Sequence, residues 1–167
     1  MATFLNFYKN NLFSINKVLK ILIEYNLMGN SQSMQKINYE DMQTVVKNSE
    51  TYLLINTLPP GEQGCLISHT MSIDKEEMII NKYIRENKGI RIIVYGKNCN
   101  DESVQKKYQQ LLALGFYNIY VYLGGIFEWL LLQDVYGKDL FTTTKKESDL
   151  LKFKAPPTLN ICLLENY

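Results

Sequence analysis

An α/β domain with a central, mainly parallel sheet of about five strands flanked by helices in three layers is the fold the sequence predicts. Three features carry that expectation. Short, nearly continuous apolar runs rich in β-branched residues, such as Ile90 to Val94, have the pattern of strands buried on both faces. Between them lie segments whose apolar residues recur at three- and four-residue spacing, as one face of a helix requires. The stretch Ile90 to Trp129 then sets them in the order strand, polar loop, helix, strand and Gly-Gly turn, which is a right-handed crossover unit.

The elements follow in chain order. Tyr39 to Lys47 is expected as a first helix, capped by Asn38 and packing Met42, Val45 and Val46 on the sheet. Tyr52 to Thr57 is a strand, closed by the turn Pro59-Pro60-Gly61. Asp74 to Arg85 forms a helix with Met78, Ile79 and Tyr83 on its apolar side. The strand Ile90 to Val94 is bounded by Asn-Lys-Gly before it and by the turn formers of Gly96 to Asp101 after it. Val104, Tyr108, Leu111, Leu112 and Phe116 mark the next helix, with Asn100 or Asp101 as its cap and Gly115 as its stop. Asn118 to Tyr122 is a strand, and the helix after Gly125 carries Phe127, Trp129 and Leu130 to Leu132, too apolar to stand alone in water. Tyr117, Tyr120 and Tyr122 fit sheet-face packing better than a base-stacking platform.

The residues IIVYGKNCNDESVQKKYQQLLALGFYNIYVYLGGIFEW resemble the C-terminal half of a rhodanese domain, above all at Leu114-Gly115-Phe116 and at Gly124, Gly125 and Trp129. Upstream, YLLINT resembles the family's acidic strand-end element with Asn56 in place of the acid, and Gly64 to His69 a reduced form of its Gly-His-Ile-Pro-Gly-Ala element. The resemblance runs from about Ile37 to Leu132. It implies a loop after the strand in which a cysteine nucleophile is cradled by backbone N–H groups and a helix N-terminus, an arrangement that stabilises a thiolate or persulfide.

In this sequence the cradle position is Gly96, and the loop's thiol, Cys99, comes three residues later. The loop ends Asn100-Asp101-Glu102 where an anion-binding relative places arginine, and carboxylates there repel an anionic substrate. That argues against phosphatase chemistry. Two readings of the loop follow. One is a catalytically silent scaffold used for binding or regulation, in which Gly96, Lys97, Asn98, Asn100, Asp101, Glu102 and Ser103 form a polar ligand-binding loop. The alternative is a thiosulfate-type sulfurtransferase with a displaced persulfide on Cys99, its thiol acidified by Lys97. The first is preferred, because a binding module tolerates loss of the nucleophile and an enzyme does not.

At 167 residues, 46% of them hydrophobic, the chain is long enough to bury a core as one domain with extensions. A net charge of +1 gives no long-range pull toward nucleic acid. The expected partner is a protein or a small anionic or sulfur compound, with no cofactor and no metal. Three separated cysteines without Cys-x-x-Cys spacing fit a reducing cytoplasm, and the single His69 cannot build a metal cluster. No apolar run reaches the roughly 18 residues that span a bilayer.

Residues 1–27 form an extension with a basic amphipathic helical pattern, which would suit mitochondrial targeting but lacks arginine. Residues 28–36 are a polar linker reading Met28-Gly29-Asn30-Ser31-Gln32-Ser33, a myristoylation pattern on Gly29 if the chain starts at Met28. One lipid there would attach the protein weakly to a membrane. The domain proper is 37–135. In the extension 136–167, Thr142 to Glu147 is read as the start of a short helix, and the segment either folds back or docks elsewhere; a role of both extensions in oligomerisation is the third reading.

Overall fold

In the computed structural model, residues 33–157 are described. Four strands form the sheet: β1 (Gln35–Ile37), β2 (Tyr52–Asn56), β3 (Arg91–Tyr95) and β4 (Ile119–Tyr122). All pairings are parallel, in the order β1-β4-β3-β2. The helices are α1 (Tyr39–Lys47), α2 (Ile73–Glu86), α3 (Glu102–Ala113) and α4 (Gly125–Tyr136), with 3-10 turns at Ser49–Thr51, Pro60–Glu62 and Leu150–Phe153. The count of about five strands is therefore corrected to four among the described residues. The apolar segment Cys65–Ile67 does not extend the sheet, because its backbone is engaged elsewhere. Ile67 makes an isolated antiparallel bridge to Thr143, Thr144 N–H donates to the Leu66 carbonyl, and Tyr95 Oη accepts the Ile67 N–H at 3.2 Å.

Parallel strands need helices on both faces, and alternation along β3 divides the core in two. Ile93 and Tyr95 face the cluster formed with Met42 and Val45 of α1 and with Ile126, Trp129 and Leu130 of α4. Ile92 and Val94 point the other way, the side on which α3 buries Val104, Tyr108 and Leu111 and α2 buries Ile80. Lys107 of α3 pairs with Glu76 of α2 at 2.7 Å, tying those two helices together.

Local chemistry explains the helix starts. Asn38 accepts the Asp41 N–H at 2.9 Å while Asp41 accepts from the Asn38 N–H at 3.3 Å, a reciprocal capping box. Asp101, rather than Asn100, caps α3, and Gly115 ends the following turn at φ 92°, where a side chain would be strained.

The tail folds back as far as residue 157. Thr142 to Glu147 is not helical, a second correction: Ser68 N–H donates to the Thr142 carbonyl, and Thr143 is held in its bridge to Ile67. Trp129 Nε1 donates to the Thr142 carbonyl at 3.1 Å, and Gln133 Nε2 to that of Phe141. Phe141 and Phe153, both from the tail, are buried in the core. Gln35 and Lys36, read as linker, belong to β1.

Candidate functional site

The loop from Gly96 to Ser103 joins the C-terminal end of β3 to the start of α3, where parallel sheets place their sites. Its first carbonyls are fixed by the Gly-Gly turn: Ile126 N–H donates to Gly96 O and Phe127 N–H to Lys97 O, both at 2.9 Å. Gly125 permits that approach by taking φ 64°; a β-carbon there would lie 2.5 Å from Gly96 O and 2.6 Å from the Lys97 carbonyl carbon.

Asn98 is buried under the tail. Its Nδ2 donates to Phe153 O at 2.7 Å and its Oδ1 accepts from Asn100 N–H at 3.0 Å. Asn98→Ala removes both bonds and leaves the buried Phe153 carbonyl unpaired, so it is expected to cost about 1–3 kcal/mol in urea unfolding. It should also make residues 150–157 the first site of limited proteolysis; unchanged stability and cleavage would contradict this tether.

The amides at the two ends of the loop converge on one carboxylate. Lys97 N–H donates to Asp101 Oδ2 at 2.8 Å and Ser103 N–H to Asp101 Oδ1 at 3.0 Å. Ser103 Oγ lies 2.5 Å from the same Oδ1 and 2.7 Å from Thr57 Oγ1. The carboxylate occupies the space beside Gly96, where a β-carbon would overlap Oδ2 and come within 2.9 Å of Asp101 Cγ and 2.6 Å of Val104 Cγ2.

Cys99 lies outside this convergence. Its sulfur is exposed and, among the described residues, its hydrogen-bond partner is Asn100 Oδ1 at 3.6 Å, a weak contact. Lys97 turns its ammonium to Glu62 Oε1 at 2.7 Å. Glu62 is presented by the Pro60–Glu62 turn, and that turn is held by Asn56, whose Oδ1 accepts from Leu58 N–H and from Gln63 Nε2. Glu102 faces solvent and makes an open pair with Lys106 at 3.9 Å. The structure therefore gathers Gly96, Lys97, Asn98, Asp101 and Ser103 and leaves Cys99, Asn100 and Glu102 on the rim. Gly29, the candidate lipid site, lies outside the described residues.

Two buried groups near the loop have altered acidity. Burial pushes the Tyr95 hydroxyl well above the phenol range, offset in part by its bond with Thr70. Burial likewise raises the Cys65 thiol, whose Sγ donates to the Lys145 carbonyl at 3.1 Å. Both groups serve packing between β3, the segment 65–70 and the tail. Among the described residues no three His, Cys, Asp or Glu side chains converge as metal ligands would.

Sequence reasoning missed Glu62, Thr57 and Phe153, each brought to the loop from a distant part of the chain. A signal existed for the Asp101 contact. An Asp at the cap of a helix, five residues after a glycine, has both an amide to bind and room to fill.

The family described as Rhodanese-like domain matches residues 30–132. None of the curated proteins matches. Among solved structures, the BH2092 protein of Bacillus halodurans is 20% identical over 68% of this chain and 81% of its own, with a TM-score of 0.49. The rhodanese-like domain of the Alr3790 protein from Anabaena sp. is 15% identical over 81% and 97%, with a TM-score of 0.48. The yeast Ygr203w, described as a protein tyrosine phosphatase of the rhodanese family, is 18% identical over 72% and 99%, with a TM-score of 0.47.

Proposed function

The chain belongs to the rhodanese-like domain family, and from that premise we propose that it is a noncatalytic or weakly catalytic binding and regulatory module of that family. One observation carries this reading. At the end of β3, the space that a side chain at Gly96 would need holds the carboxylate of Asp101, which supports our placing the family's nucleophile position, without its nucleophile, at Gly96. A persulfide carrier needs a sulfur at the focus of the loop amides, where their partial charges stabilise the anion. Here those amides serve a carboxylate, and the loop's thiol points away from them. Phosphatase chemistry gains nothing either. Lys97 is neutralised by Glu62, and Asp101 puts a negative charge where the substrate phosphate would sit.

The rival reading, sulfur transfer through Cys99, is favoured by the exposure of that thiol. In that chemistry the Cys99 thiolate attacks the outer sulfur of thiosulfate, the S–S bond of the donor breaks, and sulfite leaves. Cyanide then takes the outer sulfur of the persulfide as thiocyanate and the thiolate returns. Steady-state transfer from thiosulfate to cyanide, run on wild type and Cys99→Ala, separates the two. The expected result is no turnover above background in either protein, together with an unchanged Tm in Cys99→Ala because the side chain is exposed. Turnover in wild type that disappears in Cys99→Ala would establish the rival.

The module's partner is a protein or a small anionic or sulfur compound, and we place it in the cytoplasm, with weak membrane attachment through Gly29 if the working chain begins at Met28. No helix of the described residues is long and apolar enough to cross a membrane.

A further inference from the structure

Helix α4 is apolar on nearly every side, and a helix of that kind is ordinarily covered all round. The sheet covers only one side of it. Ile126, Trp129, Leu130 and Gln133 are buried there, whereas Phe127, Leu131 and Val135, each four residues from the next, turn outward. Phe127 is half-buried, Leu131 is 40% exposed and Val135 is 71% exposed. The Leu150–Phe153 turn packs against this helix, and its Leu151 is 58% exposed. Open apolar side chains gathered in one strip mark a surface that another segment covers.

The tail leaves the described residues beside that strip. Asn98 Nδ2 donates to the Phe153 carbonyl at 2.7 Å, and the carbonyl of neighbouring Lys97 takes the Phe127 N–H at 2.9 Å. Pro157, four residues past Phe153, is thus tethered near the strip's first residue. Residues 158–167 read TLNICLLENY, apolar at Leu159 and from Ile161 to Leu164 and without charge before Glu165. A segment of that length reaches up to about 36 Å, and the strip is about 12 Å long. We propose that residues 159–164 dock on the Phe127, Leu131 and Val135 side of α4 and supply the cover that this helix lacks. A segment tethered this near acts at an effective concentration that a free apolar partner does not match. The tail thereby continues past Phe153 as a clasp running from the loop toward the end of α4, and a partner reaches this face only by displacing it.

The test is the rate at which iodoacetamide alkylates Cys162, which lies inside the docking segment, in the full chain, with each cysteine resolved by peptide mapping. Cys99, exposed, is the fast internal reference, and Cys65, buried, reports unfolding. A peptide of residues 155–167 gives the unprotected rate. Cys162 in the folded protein should react at least about tenfold more slowly than in the peptide. Replacing the strip's two open side chains, Leu131→Lys with Val135→Lys, should bring Cys162 back to the peptide's rate while Cys65 stays slow. Val135→Lys alone serves if the pair loosens α4. A Cys162 as fast in wild type as in the peptide would overturn the proposal, as would protection that survives the lysines in a folded variant. Protection that fades on about hundredfold dilution would overturn it too and give the face to a second copy of the chain.

Discussion

Gly125→Ala is expected to lower stability by about 3 kcal/mol or more and the Tm by roughly 10 °C. Two costs combine. A left-handed φ is unfavourable for an L side chain by about 1–2 kcal/mol, and the new methyl would press on backbone, at 2.5 Å from Gly96 O and 2.6 Å from the Lys97 carbonyl carbon. Backbone cannot rotate aside as a side chain does. Relief would break the Ile126 and Phe127 hydrogen bonds that fix the loop, so the damage reaches the site itself. Gly64→Ala is the internal control. Its φ is not left-handed and its β-carbon would meet nothing within 4 Å, so a loss of less than about 1 kcal/mol is expected. Thermal unfolding of the pair checks this, and equal Tm values for the two variants would contradict the role given to Gly125.

Trp129→Ala is expected to cost about 3–5 kcal/mol, a large share of the about 5–15 kcal/mol that holds a domain together. Trp129 is fully buried. Its ring stands edge-on to Phe141 at 4.9 Å and to Tyr122 at 6.3 Å, and its indole N–H holds the Thr142 carbonyl. Removing it leaves a cavity at the junction of α4, β4 and the returning tail, and strands a backbone acceptor. Urea unfolding monitored by far-UV circular dichroism measures the loss. A cost below about 1 kcal/mol would mean that the tail is not integral to the core.

These two residues belong to the Gly-Gly-x-x-x-Trp turn, which was also the clearest signal in the sequence. Elements with a continuous apolar run or helical spacing were legible within a residue or two: α1 with its Asn38 cap, β2, β3, β4 and the stop at Gly115. Strand β1 was not. It is three residues long, reads Gln-Lys-Ile, and lies at a sheet edge where one row of backbone groups is unpaired and little side-chain burial is required, so no hydrophobic pattern marks it. The tail from Thr142 to Glu147 looked helical because its composition allows a helix. Contacts with Leu66, Ile67, Ser68 and Trp129, far away in sequence, decide its path instead. The site divides in the same way. That Gly96 has no side chain and that the loop's thiol, Cys99, comes three residues later could be read from the loop. That Asp101 turns back beside Gly96 follows from its place at the helix cap, whereas that Lys97 is claimed by Glu62 depends on how Asn56 and Gln63 set a turn from the neighbouring strand. No local pattern encodes such a meeting.

A noncatalytic rhodanese-like module requires that this loop hold no sulfur. The most direct measurement is the intact mass of the wild-type protein after exposure to thiosulfate under non-reducing conditions, with Cys99→Ala alongside, because it detects one persulfide even where no acceptor turns it over. A closed loop with Asp101 at its focus predicts an unchanged mass for both proteins. A gain of one sulfur atom in wild type, mapped to Cys99 and missing from Cys99→Ala, would contradict it.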